Sequence, residues 1–294
     1  MTNDIDISAL PTQDEIGRYR ECGYYISRPI FDGGELDRAV EASERYYATL
    51  DKQEISLPNE RSYHLAWWQG TGADVLRKND YSTLVVPELA SLLHKPVLGA
   101  IAALLCGEDV RLWHDQLLYK PPSSASAPQS VGWHTDYGYW RTCSADHMLT
   151  AWVPFTDMDE QLGTISFVEG SLHWPENNHL NFFSSDLDGL EKQFQTDGGA
   201  VVKKPAILQR GQVTFHHCRT IHGSGPNLTD RPRRSLALHL QPASNAYRQV
   251  LVGDHLATHP NDDLTRGPDD LPNYADPTYC PTLSQIDHVK ALRK

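Results

Sequence analysis

His134-Thr135-Asp136 places an imidazole and a carboxylate two residues apart. Side chains alternate faces along extended chain, so both groups can enter one cavity and one short segment can supply two metal ligands. A second histidine on the same face of an octahedron would leave open positions for a chelating co-substrate and O2, the arrangement of non-haem Fe(II) sites. His222 is the candidate third ligand. It sits in His222-Gly223-Ser224-Gly225-Pro226-Asn227, and Arg233 lies eleven residues beyond it. A guanidinium pairs bidentately with a carboxylate, which makes Arg233 a natural anchor for the distal end of a dicarboxylate, and Ser224 can add a hydroxyl. Arg234 is a rival anchor; alternation gives the two arginines opposite faces, so only one can enter the pocket. A His-x-Asp tripeptide alone occurs often by chance, and most of the 14 histidines must be structural or exposed. The ordered set of His-x-Asp, a β-type region, His and then Arg is far more restrictive.

The segments that must carry these residues read as short strands. After Gly107 the chain runs as β-type stretches divided by turn residues: Val110 to Tyr119, Met148 to Pro154, Gly163 to Val168, Gln212 to His217 and Ser235 to Leu240. Their spacing predicts an antiparallel sandwich or barrel. In the last stretch Leu236, Leu238 and Leu240 share one face while Ser235, Ala237 and His239 share the other, so one face packs and the other can line a cavity. Gln116, Leu118 and Lys120 likewise share a face, which directs Gln116 and Lys120 toward the pocket. Pro121 to Ser130 is a loop by composition, and Ser171 to Pro205 is a long insertion of the kind that forms lids or binding loops.

Ahead of the strands the chain is mostly helical. Thr12-Gln13-Asp14-Glu15 matches a capping box and predicts a helix to about Cys22, followed by a short strand over Gly23 to Ser27. Leu36, Ala39, Val40, Tyr46, Tyr47 and Leu50 recur at helical spacing, with Ser43 in the gap. Pro87 and Pro96 each suit a first helical turn, so the apolar stretch from Val85 to Cys106 reads as two helices. Beyond Pro242 the Asp- and Pro-rich chain reads as a poorly regular tail on the surface. The expected organisation is one domain over 1–294: a helical elaboration over 1–107, a barrel core over 108–241 and a C-terminal tail over 242–294.

Composition narrows the function classes. A net charge of -12, with 26 Lys+Arg against 38 Asp+Glu, argues against nucleic-acid binding, which needs a dense basic stripe. No signal peptide or membrane span is evident. Five widely spaced cysteines without a CxxC read as reduced thiols of a cytoplasmic protein. Neither a Gly-x-Ser-x-Gly nucleophile motif nor a phosphate-binding glycine loop is present.

Residues from about Gln116 to Leu240 resemble the phytanoyl-CoA dioxygenase family of Fe(II)/2-oxoglutarate oxygenases. The likeness is carried by Gln116-Leu117-Leu118-Tyr119-Lys120-Pro121-Pro122, Trp133-His134-Thr135-Asp136, Ala151-Trp152-Val153-Pro154, Gly163 to Ser171, and His222 to Asn227 with Arg233. Tyr19-Arg20-Glu21-Cys22-Gly23-Tyr24 is similar to the family's opening helix and strand. The resemblance implies a mainly β fold with flanking helices around a double-stranded β-helix, a jelly-roll or cupin-like core. It implies iron on His134, Asp136 and His222, and the far carboxylate of 2-oxoglutarate on Arg233 and Ser224. Trp152 would pack beside the co-substrate, and Gln116 is a further candidate contact. Where the family commonly has Pro-Gly-Ser-His, this chain has Glu169-Gly170-Ser171-Leu172-His173, which leaves His173 without an assigned role. Related halogenases carry a small residue in place of the acid; Asp136 fills it here, so the implied reaction is hydroxylation or another two-electron oxidation, such as desaturation or ring closure. O2 would be consumed and succinate and CO2 released.

The neighbours admit plainer readings. Trp133, Tyr137, Tyr139 and Trp140 form either an aromatic substrate wall or ordinary packing. His216 and His217 read as structural histidines at a strand end, and Trp67-Trp68-Gln69-Gly70 as a loop over the site or a buried pair. Two other functions stay open: a catalytically silent barrel that binds a small molecule, and a hydrolytic zinc enzyme on the same ligands, for which Arg233 would have no job. The expected substrate is a small molecule of secondary or amino-acid metabolism, with no nucleic-acid or membrane partner.

Overall fold

The computed structural model describes residues 5–49, 76–124 and 129–293, together with the backbone of two short strands at 54–56 and 62–64. Leu50, the Trp67 to Gly70 segment and part of the Pro121 loop therefore lie outside the described residues. Helix α1 (Gln13–Cys22) opens on the expected capping box. Thr12 Oγ1 accepts from the Glu15 amide at 3.2 Å, and Glu15 Oε2 accepts from the Thr12 amide at 2.7 Å. Gly23, at φ 90°, ends the helix in the left-handed region that glycine alone adopts without cost. Strand β1 (Tyr24–Ile26) follows, and then α2 (Gly33–Ala48), which buries Leu36, Ala39, Ser43 and Tyr46. Strands β2 (Glu54–Ser56) and β3 (Ser62–His64) pair only with each other, and β4 (Arg77–Asp80) leads into the short α3 (Ser82–Val85). Helices α4 (Pro87–Leu93) and α5 (Pro96–Cys106) each carry proline in the first turn, as the sequence predicts. No single described helix is long and apolar enough to cross a membrane.

The β region follows in the expected places at β5 (Val110–Lys120), β7 (Leu149–Pro154) and β8 (Ile165–Val168), and adds β6 (Val131–His134), which the sequence does not mark as a strand. The insertion contributes α6 (Leu187–Glu191) and β9 (Lys203–Pro205), and β10 (Thr214–His217), β11 (His222–Ser224) and β12 (Arg233–Pro242) complete it. Among the described residues a seven-stranded sheet runs β1-β10-β7-β12-β5, with the C-terminal strand Thr282–Ser284 and β4 both on the outer edge of β5, and a four-stranded sheet runs β6-β11-β8-β9. Strand β15 (Thr282–Ser284) belongs to the C-terminal segment. All these pairings are antiparallel. The inner faces meet through Trp152 and Ala237 of the larger sheet and Ile165 and Phe167 of the smaller. This is the jelly-roll core with flanking helices. On the outer face of the larger sheet Leu117, Ala151, Val153, Phe215, Leu236, Leu238 and Leu240 pack against α1, α2, α4 and α5.

The segment beyond Pro242 departs from the expected surface tail. After the hairpin β13 (Leu251–Val252) and β14 (His255–Leu256) it forms α7 (Pro260–Leu264), adds β15 to the edge of β5, and docks α8 (Ile286–Ala291). Asn261, Tyr274, Cys280 and Val289 are buried, and the Asn261 amide donates to the Trp113 carbonyl. Asp and Pro dominate because the segment is held by caps and turns; Tyr274 and Asp262 form a buried hydrogen bond that composition does not reveal. Docking leaves no room at Gly99 of α5, where a Cβ would stand 2.7 Å from the Leu283 carbonyl oxygen. Gly99→Ala is therefore expected to destabilise the protein by about 1–3 kcal/mol in urea unfolding. An undocked helix face would instead gain about 1 kcal/mol from the same change, so a stabilised variant would refute the docking.

Candidate metal centre

The two sheets deliver the site by register. In the smaller sheet His222 pairs with His134 across β11 and β6. Each imidazole is oriented by its own backbone: His134 Nδ1 lies 2.8 Å from the Gly132 carbonyl and His222 Nδ1 lies 3.0 Å from that of Thr220. A carbonyl only accepts, so both rings carry their proton on Nδ1 and present a bare Nε2 lone pair. Thr135 is extended, at φ -113° and ψ 138°, which returns Asp136 to the face of His134 even though Asp136 itself opens a 3-10 turn. Asp136 Oδ1 stands 3.8 Å from His134 Nε2 and 3.6 Å from His222 Nε2, and the three ligand atoms lie within 4.8 Å of one another. Three convergent lone pairs without protons fit a divalent cation of the nitrogen- and oxygen-loving kind.

The other carboxylate oxygen belongs to the larger sheet. Thr150 Oγ1 donates to Asp136 Oδ2 at 2.6 Å, and His216 Nε2 approaches the same oxygen at 3.3 Å, too obliquely for a linear hydrogen bond. Burial opposes the charge on Asp136, but the facing imidazoles, His222 foremost, and the His216 contact outweigh it and hold the carboxyl well below its usual range. For the histidines burial wins. It pushes His134 down to about 4 and His239 to about 3, and holds His222 well below the ordinary imidazole range.

A small cavity of about 60 Å³ beside the three ligands is lined by Gln116, His134, Asp136, Trp152, His222, Ser224 and Arg233; Lys120, which the sequence also directs toward the pocket, lies behind Ser224. Arg233 enters and Arg234 does not; the latter faces the other way and pairs with Glu44 at 3.0 Å. Arg233 is 3% exposed, its guanidinium lies 5.6 Å from the Trp152 ring centroid, and Nη1 donates to the Gly163 carbonyl at 2.8 Å. Among the described residues its Nε is buried without a partner. Lys120, 1% exposed, spends its ammonium protons on the Ser224 carbonyl, Ser224 Oγ at 2.7 Å and the Gly225 carbonyl. An ammonium has no lone pair, so Ser224 Oγ accepts and its own proton is left for the cavity. Burial lowers both cations, Arg233 to about 10, and the charge of Arg233 lowers Lys120 further. Among the described residues neither has a carboxylate partner within ion-pair distance. Two buried positive charges with an unused donor edge fit an anionic co-substrate. Trp152 Nε1 is engaged with Ser235 Oγ at 2.9 Å, which fixes the indole as a wall, and Gln116 Nε2 donates to Asp80 Oδ1 at 3.0 Å.

Several neighbours differ from their sequence reading. His217 is structural, its Nδ1 accepting from the Arg219 amide at 3.1 Å, but His216 is not: it faces the centre, with its ring 4.3 Å from that of His222. Alternation along β10 was the available signal. Tyr139 and Trp140 line a second cavity, whereas Trp133 and Tyr137 pack in separate clusters. The insertion supplies Phe182, whose ring lies 4.8 Å from that of His134. His173 lies away from the site, its Nε2 2.9 Å from the Arg20 carbonyl. Sequence reasoning missed Lys78, Asp80, His114 and His259, all on the second cavity; His114 alone was legible, two residues before Gln116 on the same strand face.

The description phytanoyl-CoA dioxygenase (PhyH) belongs to a family model that matches residues 19–235. The probable alpha-ketoglutarate-dependent hypophosphite dioxygenase of Stutzerimonas stutzeri is 25% identical over 226 residues, covering 75% of each chain. The ectoine dioxygenase of Bordetella bronchiseptica is 22% identical over 269 residues, covering 83% of this chain and 82% of that one. Among solved structures, the non-heme alpha ketoglutarate dependent epimerase SnoN from nogalamycin biosynthesis superposes with a TM-score of 0.66 at 24% identity, covering 92% of this chain and 98% of that one.

The buried neutral histidines set the acid stability of the metal-free protein. Their folded pKa values lie below the unfolded value of about 6.5, so their stabilisation is complete above that pH and is lost as pH falls through 6.5 toward 4. His134, lowered to about 4, contributes on the order of 3 kcal/mol of this loss. Urea midpoints of chelator-treated protein are expected to fall steadily from pH 7 to 5; a flat profile would mean that the imidazoles protonate without resistance.

Proposed function

Because the chain belongs to the phytanoyl-CoA dioxygenase family and is an Fe(II)/2-oxoglutarate-dependent dioxygenase, we propose that it hydroxylates, or otherwise oxidises by two electrons, an unactivated C–H bond of a small-molecule metabolite, releasing succinate and CO2. The observation that carries the reading is the pairing of three convergent, proton-free ligand atoms with two buried cations that, among the described residues, lack a carboxylate. One half fits iron and the other fits the far end of 2-oxoglutarate.

In this reading His134 Nε2, His222 Nε2 and Asp136 Oδ1 hold iron, and Thr150 keeps Asp136 Oδ2 turned away from it. The Arg233 guanidinium and the Ser224 hydroxyl receive the far carboxylate, Lys120 orients that hydroxyl, and Trp152 and Gln116 flank the co-substrate. Bound iron with 2-oxoglutarate and O2 supplies the oxidising equivalents. The protein's part is to orient the substrate C–H bond and exclude water. Phe182 over His134 and Phe167 beside His222 provide apolar cover for that exclusion. The relatives named hypophosphite and ectoine dioxygenase support a small-molecule substrate.

Anaerobic titration of the Fe(II)-loaded protein with 2-oxoglutarate is expected to give the weak visible charge-transfer band of a chelate. His134→Ala should abolish it. Arg233→Met should keep the band but weaken 2-oxoglutarate binding by about 100-fold, the equivalent of roughly 3 kcal/mol for charge-assisted hydrogen bonds. Folded, iron-loaded protein without a band would overturn the reading and promote a silent binding module.

A further inference from the structure

The second cavity, of about 230 Å³, opens from the metal centre on the side away from Arg233. Its polar wall has a fixed hydrogen-bond direction. Asp136 Oδ2 takes the Thr150 hydroxyl proton at 2.6 Å, so Thr150 Oγ1 can only accept from His239 Nδ1, which lies 2.8 Å away. His239 therefore carries its proton on Nδ1 and has a bare Nε2, unpartnered among the described residues, in a ring that lines the cavity. Asp80 Oδ1 receives Gln116 Nε2 at 3.0 Å and lies 3.2 Å from His114 Nε2, while Oδ2 has no partner among the described residues. The third group has the opposite polarity. His259 caps α7 by accepting the Asn261 amide at Nδ1, 3.1 Å away, so its proton is on Nε2 and available to the cavity.

These groups surround one imidazole. The His114 ring stacks on His239 at 5.3 Å, meets His259 edge-on at 5.0 Å and pairs with Asp80. Tyr139, Trp140, Phe182 and Phe183 add aromatic surface to the same cavity. Lys78, whose ammonium lies 5.1 Å from the Phe182 ring centroid on the same cavity, is a second donor beside His259, and two acceptors with two donors discriminate among ligand classes. An ammonium only donates and would meet the His259 proton with a like group; a carboxylate or phosphate only accepts and would meet Asp80 and His239 with lone pairs. Hydroxyls on neighbouring carbons both donate and accept, and their C–H faces pack on aromatic rings.

We propose that this cavity holds the substrate through neighbouring hydroxyl groups, those of a polyol or a glycosyl ring, with Asp80 and His239 accepting and His259 donating. The proposal rests on reading His134, Asp136 and His222 as the reacting centre, which makes the adjoining cavity the substrate's.

Saturation-transfer NMR on the full chain, loaded with Zn(II) and 2-oxoglutarate so that no turnover occurs, tests it with four pools: inositol and sugar alcohols, methyl glycosides, amino acids and amines, and fatty acids. Transfer is expected only to the first or second pool, which also separates a free polyol from a glycosyl ring. Asp80→Asn and His239→Phe should each weaken that ligand by about tenfold or more, the loss expected for one hydrogen bond to a buried polar group, while the 2-oxoglutarate signal persists. Arg233→Met should do the reverse. Transfer to amines or fatty acids without the hydroxyl pools, transfer to no pool, or unchanged binding in both cavity variants overturns the proposal. Loss of the 2-oxoglutarate signal in the wild type would instead sink the co-substrate assignment, with the hydroxyl pools scored separately.

Discussion

The carboxylate of Asp136 is the constraint around which the molecule is arranged. It is 7% exposed, and its ion-pair neighbours among the described residues are imidazoles, of which burial keeps His134, His222 and His239 neutral. A buried anion costs several kcal/mol unless hydrogen bonds and a counter-charge compensate it. The fold divides the task between the sheets. Thr150 and His216 of the larger sheet hold Oδ2, while Oδ1 is left facing the two bare nitrogens of the smaller. The charge is complete only with a cation, so the geometry that bridges the sheets is also the geometry that recruits metal.

Register carries this arrangement across the larger sheet. His114, His239, Thr150 and His216 form one cross-strand row, and Gln116, Ala237, Trp152 and Thr214 form the next. The first row serves the carboxylate and the second cavity; the second row walls the co-substrate space. The alternate residues, Leu117, Leu236, Leu238, Ala151 and Phe215 among them, face the helices and form the core. Stability and chemistry thus share the same strands without sharing a face, because the period of two allows each strand to be apolar on one side and polar on the other. A one-residue slip would exchange them.

The far end of the co-substrate space reverses the electrostatics. Arg233 and Lys120 are paired in register across β12 and β5, both buried, and burial lowers both. Lys120 avoids the worst of the cost by donating to three oxygens of Ser224 and Gly225, which also fixes the Ser224 hydroxyl as a donor. A metal-seeking anion at one end and a carboxylate-seeking pair of cations at the other give the space a polarity that suits a chelating dicarboxylate.

Much of this was legible in the chain itself, where the signal was local. Thr12 and Glu15 set a capping box, Pro87 and Pro96 divided two helices, and alternation separated Leu236, Leu238 and Leu240 from Ser235, Ala237 and His239. The His134, Asp136, His222 and Arg233 order marked one cavity for the same reason: extended chain fixes which side chains share a face. What the sequence left open needed partners distant in the chain. The choice of Arg233 over Arg234 was decided by Glu44 of α2, and the role of His216 by Asp136 lying opposite it. Asp80 and His259 had no periodic signal, and they reach the second cavity only because β4 pairs with the outer edge of β5 and α7 folds back against Trp113. The C-terminal segment, polar and proline-rich, read as a tail because its anchors are single hydrogen bonds and one edge strand rather than an apolar stripe. Local periodicity determined the strands, their buried faces and the candidate ligands; tertiary packing alone decided which polar groups meet, because hydrogen-bond partners across a sheet are set by register and not by proximity in the chain.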